Sequence, residues 1–257
     1  MLAPGAQRAT DAPAISPDAV ALAIPTLNEA VSIADVVRSI PRGIVGEIII
    51  ADGGSTDATA AVAEAAGARV IEAGRGYGRA CWQATLAAAN SDIMVFMDGD
   101  GADDPSSIAA LIGPIGRGDF DFVIGSRVRG ERAPGSMAWH QVAAGWLAGF
   151  GIRLLTGVRY TDMCAFRAIR RDALLGLGMR EMTYGWNLEM QMRAVRAGLR
   201  VLEVPVDYRN RLGGKSKVAG SLRGSLKAGL RIIATFVRVA FEPAGARMGR
   251  RARRQTS

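Results

Sequence analysis

The first half of the chain alternates between short apolar runs and segments of helical character, joined by short connections. The apolar runs are 19–24, 47–51, 69–72, 93–97 and 120–125, and the helical segments between them are 30–40, 58–66, 79–89 and 105–115. Repeated strand–helix alternation predicts an α/β fold with a mostly parallel sheet flanked by helices and right-handed crossovers. Ligands of such sheets bind beyond the carboxyl ends of the strands, where this chain places its polar turns.

The fourth apolar run leads directly into the sequence Asp98-Gly99-Asp100-Gly101. Side chains two residues apart share one face of an extended segment, so Asp98 and Asp100 can point to one place. Two carboxylates there suit Mg²⁺ or Mn²⁺, with substrate phosphates completing the coordination shell. An ordinary Asp-Gly turn is the alternative for this short pattern alone. The polar turns after the neighbouring strands favour the metal site.

The charge of the chain indicates an acidic partner. The 257 residues carry a net charge of +8, and the isoelectric point is about 10.3. Nucleic acid, anionic lipid and phosphorylated substrates all fit such a charge. The arginines concentrate near the C-terminus rather than on a recognisable nucleic-acid-binding module, so no nucleic-acid partner is expected.

The sequence predicts a cytoplasmic protein. Cys81 and Cys164 are far apart, which gives no reason to expect a disulfide framework or a cysteine-rich zinc site. Residues 1–17 lack the charged and apolar regions of a signal peptide, and the apolar window 137–155 contains too many polar residues and glycines for a convincing membrane span.

After Ser126 the regular alternation ends. Helices are predicted at 136–155, 171–177 and 186–197, and a last strand at 201–206. Apolar residues then recur every three or four positions over 222–241, which predicts an amphipathic helix with arginines beside its apolar stripe. Such a helix either packs on its own domain or lies on an anionic membrane surface, assisted by the basic tail.

Several motifs, taken in order, together resemble one protein family. They are Pro25-Thr26-Leu27-Asn28-Glu29, Asp52-Gly53-Gly54-Ser55-Thr56-Asp57, Gly74-Arg75-Gly76-Tyr77-Gly78, Asp98-Gly99-Asp100, Gly125-Ser126-Arg127, Asp162 with Phe166-Arg167-Ala168, Gly185-Trp186 with Glu189, and Gly214-Lys215-Ser216-Lys217. The set resembles the family 2 glycosyltransferases, inverting enzymes with a Rossmann-like GT-A fold. It is most similar to the branch of dolichyl- and polyprenyl-phosphate mannosyl- and glucosyltransferases.

The resemblance implies a role for each matching residue. Pro25, Asn28, Glu29, Asp52, Arg75 and Asp98 would bind the nucleotide sugar, and Asp98 and Asp100 would hold Mg²⁺ or Mn²⁺. Asp100, Arg127 and Glu189 would be catalytic, with Glu189 either a general base for a hydroxyl acceptor or a positioning residue for a phosphate acceptor. Phosphate or acceptor binding would fall to Asp162, Arg167, Trp186, Arg211, Lys215, Ser216 and Lys217.

The implied reaction is metal-dependent transfer of a sugar, with inversion, from a UDP- or GDP-sugar to a polyprenyl phosphate. A hydroxyl acceptor on a lipid, glycan or small metabolite is the alternative, followed by a sugar nucleotidyltransferase. The implied organisation is a flexible tail at 1–17, a GT-A domain at 18–210, an acceptor loop and amphipathic helix at 211–244, and a basic tail at 245–257. Peripheral attachment to the cytosolic face of the membrane is a further hypothesis, and the oligomeric state is left open.

Three positions depart from the pattern of the family. Gly53 stands where a second aspartate is familiar, and Ala165 stands where a glycine is usual. Ala102 replaces a glutamine that often follows the metal-binding pair in the lipid-phosphate branch, and Asp103 is a candidate substitute for it. These departures bear on the choice of sugar and acceptor more than on the reaction.

Overall fold

The structure, a computed structural model, describes residues 15–137, 139–213 and 222–243. Its strands are β1 (Val20–Thr26), β2 (Glu47–Asp52), β3 (Arg69–Glu72), β4 (Ile93–Phe96), β5 (Phe122–Ser126), β6 (Arg167–Arg170) and β7 (Val201–Pro205). Its α-helices are α1 (Ile33–Ser39), α2 (Thr59–Ala65), α3 (Tyr77–Ala87), α4 (Ile108–Gly116), α5 (Trp139–Thr156), α6 (Arg171–Gly176), α7 (Trp186–Arg196) and α8 (Leu222–Ala240). The predicted amphipathic segment near the C-terminus is α8.

The strands form one sheet in the order β3-β2-β1-β4-β6-β5-β7. Neighbouring strands are parallel except at β6, which is antiparallel to both β4 and β5. The predicted α/β fold with a mostly parallel sheet is therefore confirmed. Strand β1 reads as a continuous apolar run because both faces of the sheet are covered there, and its consecutive residues Val20 to Ile24 are all fully buried. Strand β3, at the edge of the sheet, has the exposed charged residues Arg69 and Glu72 at its ends.

The structure differs from the sequence analysis at two strands, β1 and β6. The sequence predicts that Pro25 ends β1, but the strand continues to Thr26, and Pro25 pairs with Ala51 of β2. Strand β4 accompanies β1 only as far as Ala23, so Pro25 lies where β1 has a neighbour on one side only, which a proline tolerates. Strand β6 was not predicted at all, because four residues with arginine at both ends give no clear strand pattern.

Among the described residues, no helix is both long enough and apolar enough to cross a membrane. This agrees with the prediction for 137–155, most of which forms α5. The predicted segments 1–17, 211–244 and 245–257 include residues 1–14, 214–221 and 244–257, which lie outside the described residues. The predicted domain organisation stays a prediction.

Candidate active site

The turns after β1 and β2 are locked together at the carboxyl edge of the sheet. The last residues of the two strands, Thr26 and Asp52, are partners in the parallel register. The amide of Asn28 donates to Ser55 Oγ at 2.8 Å, and the amide of Thr56 donates to Asn28 Oδ1 at 2.8 Å. Asn28 adopts a positive φ of 53°, a conformation that asparagine tolerates better than most residues. These hydrogen bonds fix the turn after β1 against the turn after β2.

Asp52 organises the turn that follows β2. Its carboxylate accepts hydrogen bonds from the amides of Gly54 at 3.2 Å and Ser55 at 2.9 Å, and from the hydroxyl of Thr26 at 3.4 Å. The amide of Gly53, where the family often has an aspartate, donates to the Thr26 carbonyl at 2.8 Å. Contact of Asp52 with a nucleotide base therefore stays a prediction, whereas its hold on the turn is observed.

The other predicted donor residues lie on or near the same edge. Pro25 is the next-to-last residue of β1, and the charge of Glu29 acts on Asp98. Arg75 is exposed in the glycine-rich turn before α3. This turn and the start of α3 approach the segment before α7 closely: a Cβ atom at Gly76 would lie 2.5 Å from the carbonyl oxygen of Met182, and one at Gly78 would lie 2.5 Å from that of Glu181. The glycines therefore allow two backbones to meet.

The predicted metal-binding pair follows β4. Asp100 is 3% exposed, and its Oδ1 accepts a hydrogen bond from the amide of Ala102 at 2.9 Å. Burial, followed by the charge of Asp100, raises the pKa of Asp98 to about 6. Burial and the charge of Asp98 raise the pKa of Asp103 to about 8, and Asp103 accepts a hydrogen bond from the Asp98 amide at 3.2 Å. Three carboxyl groups are therefore crowded at the end of β4.

Crowded carboxylates of this kind fit a divalent cation, because hard oxygen ligands and concentrated negative charge are what Mg²⁺ and Mn²⁺ require. Within the described parts of the chain, no group of three or more acidic, histidine or cysteine side chains is arranged as a complete metal site. Asp98 and Asp100 would therefore supply part of the coordination shell, and the phosphates of a donor would supply more.

A segment that follows β7 covers the turn after β4. Arg211 Nη2 lies 2.8 Å from Asp100 Oδ2, and the amide of Leu212 donates to the Asp100 carbonyl at 3.0 Å. The amide of Arg209 donates to the Ala102 carbonyl at 2.8 Å, and the Leu212 side chain lies against Gly101. Arg211, predicted from its sequence position to bind phosphate, is thus beside the predicted metal ligands.

Arg127 stands at the end of β5 and is held by Asp162. Its Nε and Nη2 donate to the two carboxylate oxygens at 2.8 Å and 2.7 Å, and its amide donates to Oδ2 at 3.0 Å. The guanidinium carbon lies 5.0 Å from the centre of the Tyr208 ring. Tyr208 forms a β-bridge with Asp103, and the positive charge of Arg127 opposes the rise in the pKa values of Asp98 and Asp103. Asp162 therefore positions Arg127 through a two-point contact.

Glu189 is enclosed by partners. It is fully buried, and its Oε2 accepts hydrogen bonds from the amides of Arg180 at 2.9 Å and Glu181 at 2.6 Å. Its Oε1 lies 2.8 Å from Arg193 Nε and 3.0 Å from Arg238 Nη1. With two amide and two arginine partners, the Glu189 carboxylate holds together the segment before α7, α7 itself and α8. Its role as general base stays a prediction that this environment does not favour.

Two predicted acceptor residues lie in the core. Arg167 on β6 is fully buried, and its guanidinium donates to the carbonyls of Cys164 and Asn187. Trp186 begins α7, is fully buried, and packs edge-on against Trp82 with ring centres 6.4 Å apart. Neither side chain is placed to contact an acceptor from solvent. Lys215, Ser216 and Lys217 lie outside the described residues.

Sequence reasoning missed Tyr208, which lies under Arg127 and forms a bridge with Asp103. It also missed Glu203, which accepts hydrogen bonds from the amide and hydroxyl of Thr161 next to Asp162. No motif marks either residue. The position of Asp103, three residues after Asp100, was the one available clue to a third carboxyl group.

Comparisons with known proteins identify the family of the chain. The model of the family described as glycosyl transferase family 2 matches residues 21–177. An uncharacterized glycosyltransferase of Mycobacterium tuberculosis is 40% identical over 82% of this chain and 94% of its own length. The undecaprenyl-phosphate mannosyltransferase of Micrococcus luteus is 32% identical over 52% of this chain and 56% of its own length.

Solved structures agree as well. The glucosyl-3-phosphoglycerate synthase of Mycobacterium tuberculosis, crystallised with phosphoglyceric acid, superposes with a TM-score of 0.68 at 28% identity, over 87% of this chain and 80% of that chain. The same enzyme has been crystallised with Mn²⁺, UDP and its product. The family match covers more than half of the chain, and the sheet has the expected arrangement. This chain therefore belongs to glycosyl transferase family 2 and has the GT-A fold.

Proposed function

We propose that this glycosyltransferase moves a sugar from a UDP- or GDP-sugar to a polyprenyl phosphate, with inversion at the anomeric carbon. The observation that carries the proposal is the ion pair between Arg211 and Asp100 at the end of β4. A second arginine, Arg127, is held by Asp162, and its charge acts on Asp98. Carboxylates suit a divalent cation, and guanidinium groups suit phosphates, so the site fits a donor diphosphate beside a second phosphate. Mg²⁺ or Mn²⁺ bound here would stabilise the negative charge of the leaving diphosphate.

The protein residues act by positioning in this scheme. A phosphate oxygen of the acceptor attacks the anomeric carbon while the bond from that carbon to the donor diphosphate breaks, and the nucleoside diphosphate leaves. A phosphate monoester is already an anion at neutral pH, so the step needs no general base. This suits an arrangement in which Glu189 is enclosed. Arg127, fixed by Asp162, would orient a phosphate during the attack.

Relatives support the acceptor class. Besides the mannosyltransferase of Micrococcus luteus, the polyprenol monophosphomannose synthase of Mycolicibacterium smegmatis is 28% identical over 77% of this chain and 80% of its own length. The second candidate is transfer to a hydroxyl group of a small phosphorylated acid. Its support is the structural neighbour crystallised with phosphoglyceric acid, in which a phosphate group accompanies the acceptor.

The acceptor is tested by offering three compounds with labelled UDP- and GDP-sugars: polyprenyl phosphate, the corresponding polyprenol, and phosphoglyceric acid. We expect transfer to polyprenyl phosphate only. Transfer to the polyprenol or to phosphoglyceric acid, without transfer to polyprenyl phosphate, would refute the proposed acceptor and favour the second candidate. Release of pyrophosphate instead of a nucleoside diphosphate would identify a nucleotidyltransferase.

The metal-binding pair is tested with Asp100→Asn, which keeps the size of the side chain and removes its charge, and with Asp100→Ala. We expect transfer to fall by at least about 10³-fold in both, because several kcal/mol of charge stabilisation are lost. The melting temperature and the circular dichroism spectrum should show that both variants are folded. Full activity in a folded variant would contradict the metal assignment.

A further inference from the structure

Helix α8 has apolar side chains on two opposite sides. Ala228 and Val239 are buried, and Ile232 and Phe236 pack against the core. A second set is exposed: Leu230 by 60%, Ile233 by 62%, Val237 by 49% and Phe241, one residue beyond the helix, by 80%. Since successive residues of an α-helix are about 100° apart, the second set lies roughly opposite the first. Packing on the domain therefore accounts for only one apolar side of α8.

Helix α5 repeats this arrangement. Ile152 is fully buried, whereas Trp146 is 60% exposed, Leu147 62%, Phe150 47% and Leu154 72%. The rings of Trp146 and Phe150 stack with their centres 5.7 Å apart. An exposed aromatic pair beside two exposed leucines is an unusual surface for a helix that already buries its other side.

The two helices touch. A Cβ atom at Gly151 of α5 would lie 2.8 Å from the Phe236 ring of α8. The two exposed sets thus lie on neighbouring helices, and together they include most of the large apolar side chains exposed by residues 15–137, 139–213 and 222–243. We call this set the α5/α8 apolar surface: Trp146, Leu147, Phe150, Leu154, Leu230, Ile233, Val237 and Phe241.

Arginines lie beside the α5/α8 apolar surface. Arg180 and Arg231 are 63% and 54% exposed, and they pair with Glu242 at 3.2 Å and with Glu181 at 3.0 Å. Four arginines share three glutamates in this region (Arg180, Arg193, Arg231 and Arg238 with Glu181, Glu189 and Glu242), so positive charge is in excess beside α8. Arg231 directly follows Leu230 on the helix. A second copy of this chain would bring the same positive charges to the same contact. An anionic bilayer instead offers acyl chains to the apolar side chains and phosphates to the arginines.

We propose that the α5/α8 apolar surface docks on an anionic lipid bilayer, with Arg180 and Arg231 at the depth of the headgroup phosphates. The apolar side chains enter the boundary between headgroups and acyl chains, and the helices lie in the plane of the membrane. The proposal does not depend on the identity of the acceptor.

The test is flotation of the full chain with vesicles of phosphatidylcholine, with and without phosphatidylglycerol. The double variant Ile233→Gln/Val237→Gln changes two exposed positions of α8. Leu154→Gln makes the same kind of change on α5, so a folding defect in one variant leaves the other informative. The matched control is Leu86→Gln, because Leu86 is also exposed, by 45%, but lies on α3.

We expect the wild type and Leu86→Gln to float with phosphatidylglycerol vesicles, and the double variant to bind at least about tenfold more weakly. Arg180→Gln should weaken binding only when phosphatidylglycerol is present. Wild type that does not float, or a double variant that floats equally well, would overturn the proposal. A wild-type dimer that becomes a monomer in the double variant, without a change in flotation, would assign the surface to a second copy. Sugar transfer to a short, water-soluble acceptor should be unchanged in the surface variants. A loss of membrane binding can therefore be told apart from a loss of the proposed transferase activity.

Discussion

The ion pair between Arg211 and Asp100 predicts that removal of the arginine strengthens binding of a divalent cation. Arg211 Nη2 is 2.8 Å from Asp100 Oδ2, with the aspartate side chain 3% exposed and the arginine side chain 34% exposed. A cation bound by Asp98 and Asp100 would compete with this guanidinium for the same carboxylate. We therefore expect Arg211→Ala to bind Mn²⁺ more tightly than the wild type when no nucleotide is present.

The burial of the pair sets the size of the effect. An exposed ion pair contributes below about 1 kcal/mol, and loss of one partner from a fully buried pair costs about 3–5 kcal/mol. With a buried carboxylate and a partly exposed arginine, an intermediate value of about 1.5 kcal/mol is reasonable. In the wild type, cation binding must break the ion pair between Arg211 and Asp100 and therefore costs this free energy. In Arg211→Ala the ion pair is absent, so cation binding carries no such cost. Since about 1.4 kcal/mol corresponds to a factor of ten, we expect roughly tenfold tighter binding.

Titration with Mn²⁺, with the free aqueous ion measured by electron paramagnetic resonance, gives this affinity directly. The matched control is Arg209→Ala, which removes a neighbouring ion pair, to Asp104 at 2.7 Å, without touching Asp100. Its Mn²⁺ affinity should equal that of the wild type. Unchanged or weaker binding by Arg211→Ala, or an equal gain in Arg209→Ala, would refute the competition. With a nucleoside diphosphate present, the order should reverse, because the released arginine can then bind phosphate.

Three further predictions follow from the site. Glu189→Gln removes the anion that contacts Arg193 and Arg238, and among the described residues only Arg193 keeps another carboxylate partner, Glu242. Urea denaturation should therefore show a loss of about 3 kcal/mol in the free energy of unfolding, and an unchanged midpoint would contradict the structural role. The folded-state pKa values of Asp98 (about 6) and Asp103 (about 8) are raised, so the folded protein binds more protons than the unfolded chain between about pH 4 and pH 8. The melting temperature of the metal-free protein should therefore fall as the pH rises through this range. Asp103→Asn should flatten that dependence. Arg127→Lys cannot keep the two-point contact with Asp162, so kcat/KM for sugar transfer should fall at least about tenfold, and a variant with wild-type kcat/KM would show that this geometry is not needed.

The sequence was sufficient for the features that depend on local patterns. The apolar runs predicted the ends of most strands to within two residues. A strand that is covered on both faces needs apolar side chains at consecutive positions, and this pattern is visible in the sequence. Alternation of side chains predicted that Asp98 and Asp100 form a pair, but β4 ends at Phe96 and Asp100 lies in the turn that follows, so the shared metal site stays a prediction. The predicted amphipathic helix near the C-terminus is present as α8.

Features that depend on distant neighbours could not be predicted. Whether an acidic residue is a free base or an enclosed anion depends on what surrounds it, and Glu189 meets Arg238 of α8, far along the chain. Arg167 has the sequence appearance of a phosphate ligand, but its place on a strand between β4 and β5 puts it in the core. The apolar periodicity of α8 likewise predicts an amphipathic helix, but it does not reveal that the predicted stripe, which includes Leu230, Ile233 and Val237, is exposed while another side of the helix packs on the core.

Strand β6 controls the order in which the sheet can be completed. Strands β1 to β4 are close in sequence and can pair after short loops close. Strands β5 and β7 join the rest only through β6, and the ladder between β4 and β6 brings Phe96 next to Arg167 across a long stretch of chain. Pairing of β6 with β4 closes a loop of about 70 residues, and this closure costs conformational entropy before the new contacts compensate for it. Pairing of these two strands is therefore expected to be slow. On this account the part of the sheet that carries Asp98 folds first, and the part that carries Arg127 joins it in a later, slower phase.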